Sequence, residues 1–136
     1  MLFIDFNFGI GGEGIMAPKD VVHEYYSHLA QKNDKWANYF AEDITFSDAG
    51  MNMNEAGKEA VTISFNQFLK SVESLIVKLM ITEENRVCVI VGYEYINSHG
   101  EKMSQDVSEV WTVRDGKLST LVIYFDFTEF RNFIRR

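Results

Sequence analysis

From residue 18 onward the apolar positions change period, from helical spacing to strict alternation, and that change orders the chain. Pro18 suits the first turn of a helix, where a missing N–H is no loss. Val21, Val22, Tyr25, Tyr26 and Leu29 then form a stripe at i, i+3 and i+4. Asp34 can cap a short second helix carrying Trp36, Tyr39 and Phe40. A strand follows, with Ile44, Phe46 and Asp48 on one face and Asp43, Thr45 and Ser47 on the other. Residues 49–56 read as a loop, and a third helix buries Val61, Phe65, Phe68, Leu69 and Val72. The second half is strand after strand. Residues 74–82 alternate, residues 87–96 are apolar on both faces as a central strand is, and residues 101–113 run from a turn at His99-Gly100 to one at Asp115-Gly116. Residues 117–125 form the last strand, and Asp126 or Thr128 can cap a closing helix with Phe127, Phe130 and Ile134. Helices first and a meander of strands afterwards predict an α+β domain, helices packed on one face of a curved antiparallel sheet.

Residues 1–16 differ from the rest. Their apolar alternation leads into four glycines in six positions, and Gly9, Gly11 and Gly14 satisfy G-x-G-x-x-G. A dinucleotide site needs that loop to open directly into a helix within a parallel sheet, and here residues 15–17 intervene. A flexible extension, translated upstream of a start at Met16, is the expectation, with residues 17–136 as one domain. The length of 136 residues suits one core.

Hydrophobic residues make up 46% of the chain and aromatics 14%, so a sizeable apolar interior or pocket is expected. The net charge of −7 argues against nucleic acid and against an anionic membrane surface, both of which call for a basic face. A neutral, hydrophobic small molecule fits better. Cys88 is the one cysteine, which excludes an internal disulfide, and it reads as a small core residue. No apolar run reaches the ~18 residues of a membrane helix, and no basic segment introduces a signal peptide, so a reducing cytoplasm is the default. His23, His28 and His99 make no i, i+4 ligand pair, and no metal site is expected.

Parity in the strands carries the functional information. In residues 101–113, Met103, Gln105, Val107, Glu109, Trp111 and Val113 share the inner face, so Glu109 points inward between Val107 and Trp111. Asp48 shares its face with Ile44 and Phe46 in the same way. Burying an ionised carboxylate without a partner costs several kcal/mol, so each must pair, accept hydrogen bonds or keep its proton. Glu109 could bind a backbone donor, and Asp48 could cap the loop after it. Both inner faces nevertheless look toward the first helix, which offers Tyr25 near the centre of its stripe and Tyr26 further from it.

The runs Val21-Val22-His23-Glu24-Tyr25, Phe40-Ala41-Glu42-Asp43 through to Asp48, and Glu109-Val110-Trp111 with Asp115-Gly116-Lys117 resemble the nuclear transport factor two-like superfamily, in particular its SnoaL-like and ketosteroid-isomerase-like branches. The resemblance covers roughly residues 18–134. It implies a cone-shaped fold, a strongly bent antiparallel sheet wrapped around a long amino-terminal helix, with further helices closing an apolar cavity, and a homodimer formed through the outer face of the sheet. It also implies chemistry without a cofactor. In ketosteroid isomerase an Asp moves the proton while a Tyr and a protonated Asp hold the oxyanion; the matching positions are Asp48, Tyr25 and Glu109. Glu109 stands where the isomerase has Asp, and an acid followed two residues later by an aromatic looks more like the SnoaL-like cyclases. Phe46, Met53, Phe65, Val107 and Trp111 are the expected ligand-binding wall, with Met51 and Met53 at the mouth. The expected function is a cofactor-independent isomerase or cyclase acting on a hydrophobic carbonyl compound. The alternative is a non-catalytic binding or dimerisation domain of the same fold. Epoxide hydrolysis is a weaker reading, since no inward Arg accompanies the acids.

Overall fold

The computed structural model describes residues 15–50 and 53–136, so the reading of residues 1–14 as an extension, and that of Met51, lie outside the described residues. Helix α1 (Pro18–Ala30) opens with Pro18 in its first turn and buries Val21, Val22, Tyr25, Tyr26 and Leu29 on one stripe. A 3-10 helix, Asp34–Tyr39, follows. Its cap is Asn33 rather than Asp34: the Asn33 side chain accepts from the Lys35 backbone N–H at 3.0 Å. The strand β1 (Phe40–Asp48) turns back into β2 (Met53–Ala56), and α2 (Lys58–Leu69) leads to β3 (Val72–Glu83), β4 (Arg86–Ile96), β5 (Lys102–Arg114), β6 (Lys117–Tyr124) and α3 (Phe127–Ile134).

The six strands form one strongly curved, unclosed sheet in the order β2-β1-β6-β5-β4-β3. All neighbours are antiparallel except β1 and β6, which run parallel. Parallel strands need a long crossover, and here everything from β2 to β5 supplies it. The hairpin from β5 to β6 closes on Asp115 (φ 52°) and Gly116 (φ 76°), the paired left-handed conformations of a type I′ turn, which Asp-Gly adopts readily.

Helix α1 lies in the concave face. Its stripe packs into one core with Val87, Val89 and Val91 of β4, Val107, Trp111 and Val113 of β5, and Leu118 and Leu121 of β6. The inner-face assignment for β5 holds residue by residue, with Gln105, Val107, Glu109, Trp111 and Val113 all buried.

Three expectations need correction. Residues 53–56 are not loop but the edge strand β2, paired with Thr45 to Asp48; four mixed-polarity residues give too short an alternation to register. Cys88 is half-buried on the outer face, because Val87 and Val89 take the inward positions of β4. Of the residues expected to be buried by the third helix, only Val61 is; Val72 is buried but opens β3, beyond the end of α2 at Leu69, and Phe65, Phe68 and Leu69 remain partly accessible. The reason is that all three face a hollow. Among the described residues no helix is long and apolar enough to cross a membrane.

Candidate functional site

The hollow has a volume of about 390 Å³ and lies between the concave sheet, α1, α2 and α3. Its wall is mainly apolar and rich in aromatic rings, with Phe46, Phe65, Phe68, Tyr93, Phe125 and Phe130 prominent in it. Into this wall the strand pattern sets two carboxyl groups. Asp48 is 1% exposed and Glu109 6%.

The sheet register relates them. Asp48 pairs with Ile123 from one side and Glu109 pairs with Ile123 from the other, so the two acids flank Ile123 in a single row across β1, β6 and β5. Two strand spacings put their Cα atoms about 10 Å apart on a flat sheet, and less on a concave one. Asp48, Ile123 and Glu109 all line the cavity. Asp48 also accepts a hydrogen bond at 2.9 Å from the Gly50 backbone N–H, which fixes the start of the loop after β1.

Glu109 sits in a ring of phenols. The Tyr26 hydroxyl donates to Glu109 Oε1 and the Tyr93 hydroxyl donates to Oε2 at 2.7 Å. The Trp111 indole N–H donates to the Tyr26 oxygen at 2.8 Å. Burial raises the Glu109 pKa to about 7, against the two phenol bonds, which favour the ionised form and lower it. The same burial, aided by the neighbouring Glu109 charge, holds Tyr25, Tyr26 and Tyr93 well above the usual phenol range. Near neutral pH the phenols keep their protons, and Glu109 is the one of these four groups that titrates.

The structure places Tyr25, Asp48, Glu109, Phe46, Met53, Phe65 and Val107 in the wall of this cavity. Trp111, expected in the same wall, is not there: it is fully buried behind the cavity, and its indole serves the Tyr26 hydroxyl. The weighting of Tyr25 over Tyr26 as the phenol beside the acid is also corrected. Tyr26 makes the hydrogen bond, while the Tyr25 ring packs edge-on to Tyr26 at 4.8 Å and to Trp111 at 4.9 Å. Tyr93 escaped the sequence reading altogether. It pairs across the sheet with Gln105, not with Glu109, whose partner on β4 is Val89. Only the bend of the sheet and the length of both side chains bring them together. The available signal was weak: a tyrosine on the inner face of a central strand, needing a partner for its hydroxyl.

Comparison with known proteins completes the description. A model of the SnoaL-like domain matches residues 22–120. No curated protein matches the chain. Among solved structures, TerC co-crystallised with polyporic acid is similar, with a TM-score of 0.75 at 16% identity over 88% of this chain and 98% of that one. A provisionally assigned SnoaL-like polyketide cyclase from Jannaschia sp. has a TM-score of 0.74 at 14% identity, over 86% of this chain and 90% of that one. A protein of ketosteroid-isomerase-like fold from Catenulispora acidiphila, in complex with trimethylamine, has a TM-score of 0.72 at 12% identity over 85% and 92%. At these identities the likeness concerns the fold.

Proposed function

Because the chain belongs to the SnoaL-like domain family, we propose that its cavity binds a hydrophobic carbonyl compound and isomerises or cyclises it by proton transfer to and from a carboxylate, with a second, protonated carboxyl group supporting the substrate oxygen. The observation that supports this is the row Asp48, Ile123, Glu109: two acids on either side of one isoleucine in the wall of an apolar hollow, at one level of the sheet. Their surroundings differ. Glu109, enclosed and raised to about 7, is suited to hold a proton. Asp48 stands at the other side of Ile123, where β1 ends and the loop begins.

In this reading Asp48 takes the proton from carbon beside the carbonyl. Neutral Glu109 supplies the acidity against which the developing enolate oxygen is held, with Tyr25 as a second donor from α1. A positioned base contributes about 10²–10⁴-fold. Donors fixed in a dry cavity add to that, since they need not reorganise as charge develops. The chemistry of the cavity wall asks for a substrate that is apolar over most of its surface.

The test is turnover of enolisable polycyclic ketones by the unaltered chain and by Asp48→Asn. The expected result is a loss of at least a hundredfold in kcat with ligand affinity retained; turnover that survives the substitution unchanged removes Asp48 as base. One observation favours the non-catalytic alternative. The chain Trp111, Tyr26, Glu109, Tyr93 ties α1 to β4 and β5, which is a structural service in itself. That alternative predicts ligand binding without turnover of any enolisable ketone. The proposal further includes a homodimer, with the outer face of the sheet, where Ile76, Leu79, Ile81 and Tyr124 are exposed, as the contact.

A further inference from the structure

The direction of the hydrogen-bond chain behind Glu109 is fixed by its chemistry. An indole N–H can only donate. The Tyr26 oxygen is therefore the acceptor for Trp111, and the Tyr26 proton goes on to Glu109 Oε1. With Oε1 engaged as an acceptor, the proton of the neutral acid belongs on Oε2. There the Tyr93 hydroxyl stands 2.7 Å away, and a phenol can give or accept across such a bond. The two phenols differ in one further respect. Tyr93 lines the cavity, while Tyr26 lies behind it.

We propose that Tyr93 is a catalytic residue that delivers the acidity of Glu109 to the substrate oxygen. While Glu109 is neutral, its Oε2–H donates to the Tyr93 oxygen and the Tyr93 O–H turns into the cavity, onto the carbonyl oxygen of the bound compound. As Asp48 takes the proton from carbon and charge gathers on that oxygen, both hydrogen bonds strengthen and neither O–H bond has to break. When Glu109 is ionised, the Tyr93 O–H turns back to Oε2 and the cavity loses this donor. The titratable groups facing Glu109 are Tyr25 and Tyr26 from α1, Tyr93 and Tyr95 from β4, and Asp48 from β1 across Ile123; the residues that α2 and α3 place in the wall bring no acid or base. All four phenols are raised and stay protonated, so the turn of the hydroxyl follows Glu109 near pH 7.

This inference takes its substrate oxygen from the proton-transfer reading, but the turn of the hydroxyl can be measured without turnover. The probe is a naphthol, an enolate analogue whose oxygen accepts hydrogen bonds, bound at pH 6 and pH 8.5. Unaltered protein should bind it about tenfold or more tightly at pH 6. Tyr93→Phe should lose that advantage and become indifferent to pH. Tyr26→Phe should keep the tight binding at pH 6 and move the midpoint upward, since it removes a donor that favours the ionised acid. Should Tyr93→Phe bind as the unaltered protein does, or Tyr26→Phe match it in every respect, Tyr93 has no contact with the ligand oxygen and the proposal is overturned. A second measurement needs no variant: the phenolic C–O stretch of isotope-labelled Tyr93 should shift as Glu109 titrates, and a constant band overturns the proposal equally. If the naphthol pattern holds while no ketone turns over, proton transfer falls and the Tyr93 donor stands.

Discussion

A carboxylic acid that holds its proton to about pH 7 leaves a signature in stability as well as in chemistry. Unfolded, Glu109 releases its proton near 4.5; folded, it does so near 7. Between those values the native state carries the extra proton, so stability must fall as pH rises, by on the order of 3 kcal/mol in all. Above about pH 7 the loss is complete. Glu109→Gln should abolish the slope, and at pH 8 the variant should be at least as stable as its parent. Urea midpoints at pH 5 and pH 8 check both statements, and an unchanged slope in the variant would mean that Glu109 does not hold that proton. Glu109 itself was legible in the sequence, because alternation along β5 leaves no other face for it. Its phenol partners were not. A side chain's direction follows from parity, but its reach across a bent sheet does not, so the helical stripe alone points to Tyr25 rather than Tyr26 and nothing in β4 points to Tyr93 in particular.

Among the elements, α3 shows how polar side chains of the sheet shape the cavity. Its wall residues Phe127, Phe130 and Ile134 are in place because Asp126 caps the helix, accepting from the Glu129 N–H at 3.0 Å. Gln105 adds two bonds of 3.0 Å, to the Asp126 carbonyl and to Glu129, while its own oxygen accepts from Tyr95 at 2.9 Å. At the other end Asn97 donates to the Phe133 carbonyl at 3.2 Å. Asp126→Ala should cost about 1 kcal/mol for the lost cap. Gln105→Leu should cost about 1–3 kcal/mol, since it leaves buried groups unpaired. Hydrogen exchange of the α3 amides should rise in both variants ahead of the sheet amides; equal protection throughout would show that α3 is held by its apolar contacts alone. Asp126 as a cap was readable from the chain. The duty of Gln105 was not, for an inward glutamine announces only that it needs partners.

For the molecule as a whole, a sheet must bury one face and can leave the other wet. Here α1 fills the concave side, while Ile76, Leu79 and Ile81 of the edge strand β3 stand exposed on the convex side. If that face joins two copies, Ile76→Lys combined with Leu79→Lys should halve the mass found by sedimentation and leave the circular dichroism of the chain unchanged. A parent chain that sediments as a monomer at micromolar concentration would remove the dimer. Exposed positions of this kind ordinarily change stability by no more than about 0.5 kcal/mol, so a loss of folding is not the expected response.

Period and parity are local properties, and they specify the α+β class, the inner face of β5, the Asp115-Gly116 turn and the inward aim of Asp48 and Glu109. In β3 simple alternation sets Leu75, Val77, Leu79 and Ile81 on one face, but a register shift between Val77 and Leu79 turns Leu79 and Ile81 outward. Period and parity act through the geometry of a single element, which each residue reports independently. The parallel pairing of β1 with β6, the placing of two acids on either side of Ile123, and the meeting of Tyr26 and Tyr93 at Glu109 depend on how separate elements approach one another. Those arrangements are set by sheet curvature and side-chain length acting together over many residues, and no stretch of the chain encodes them alone.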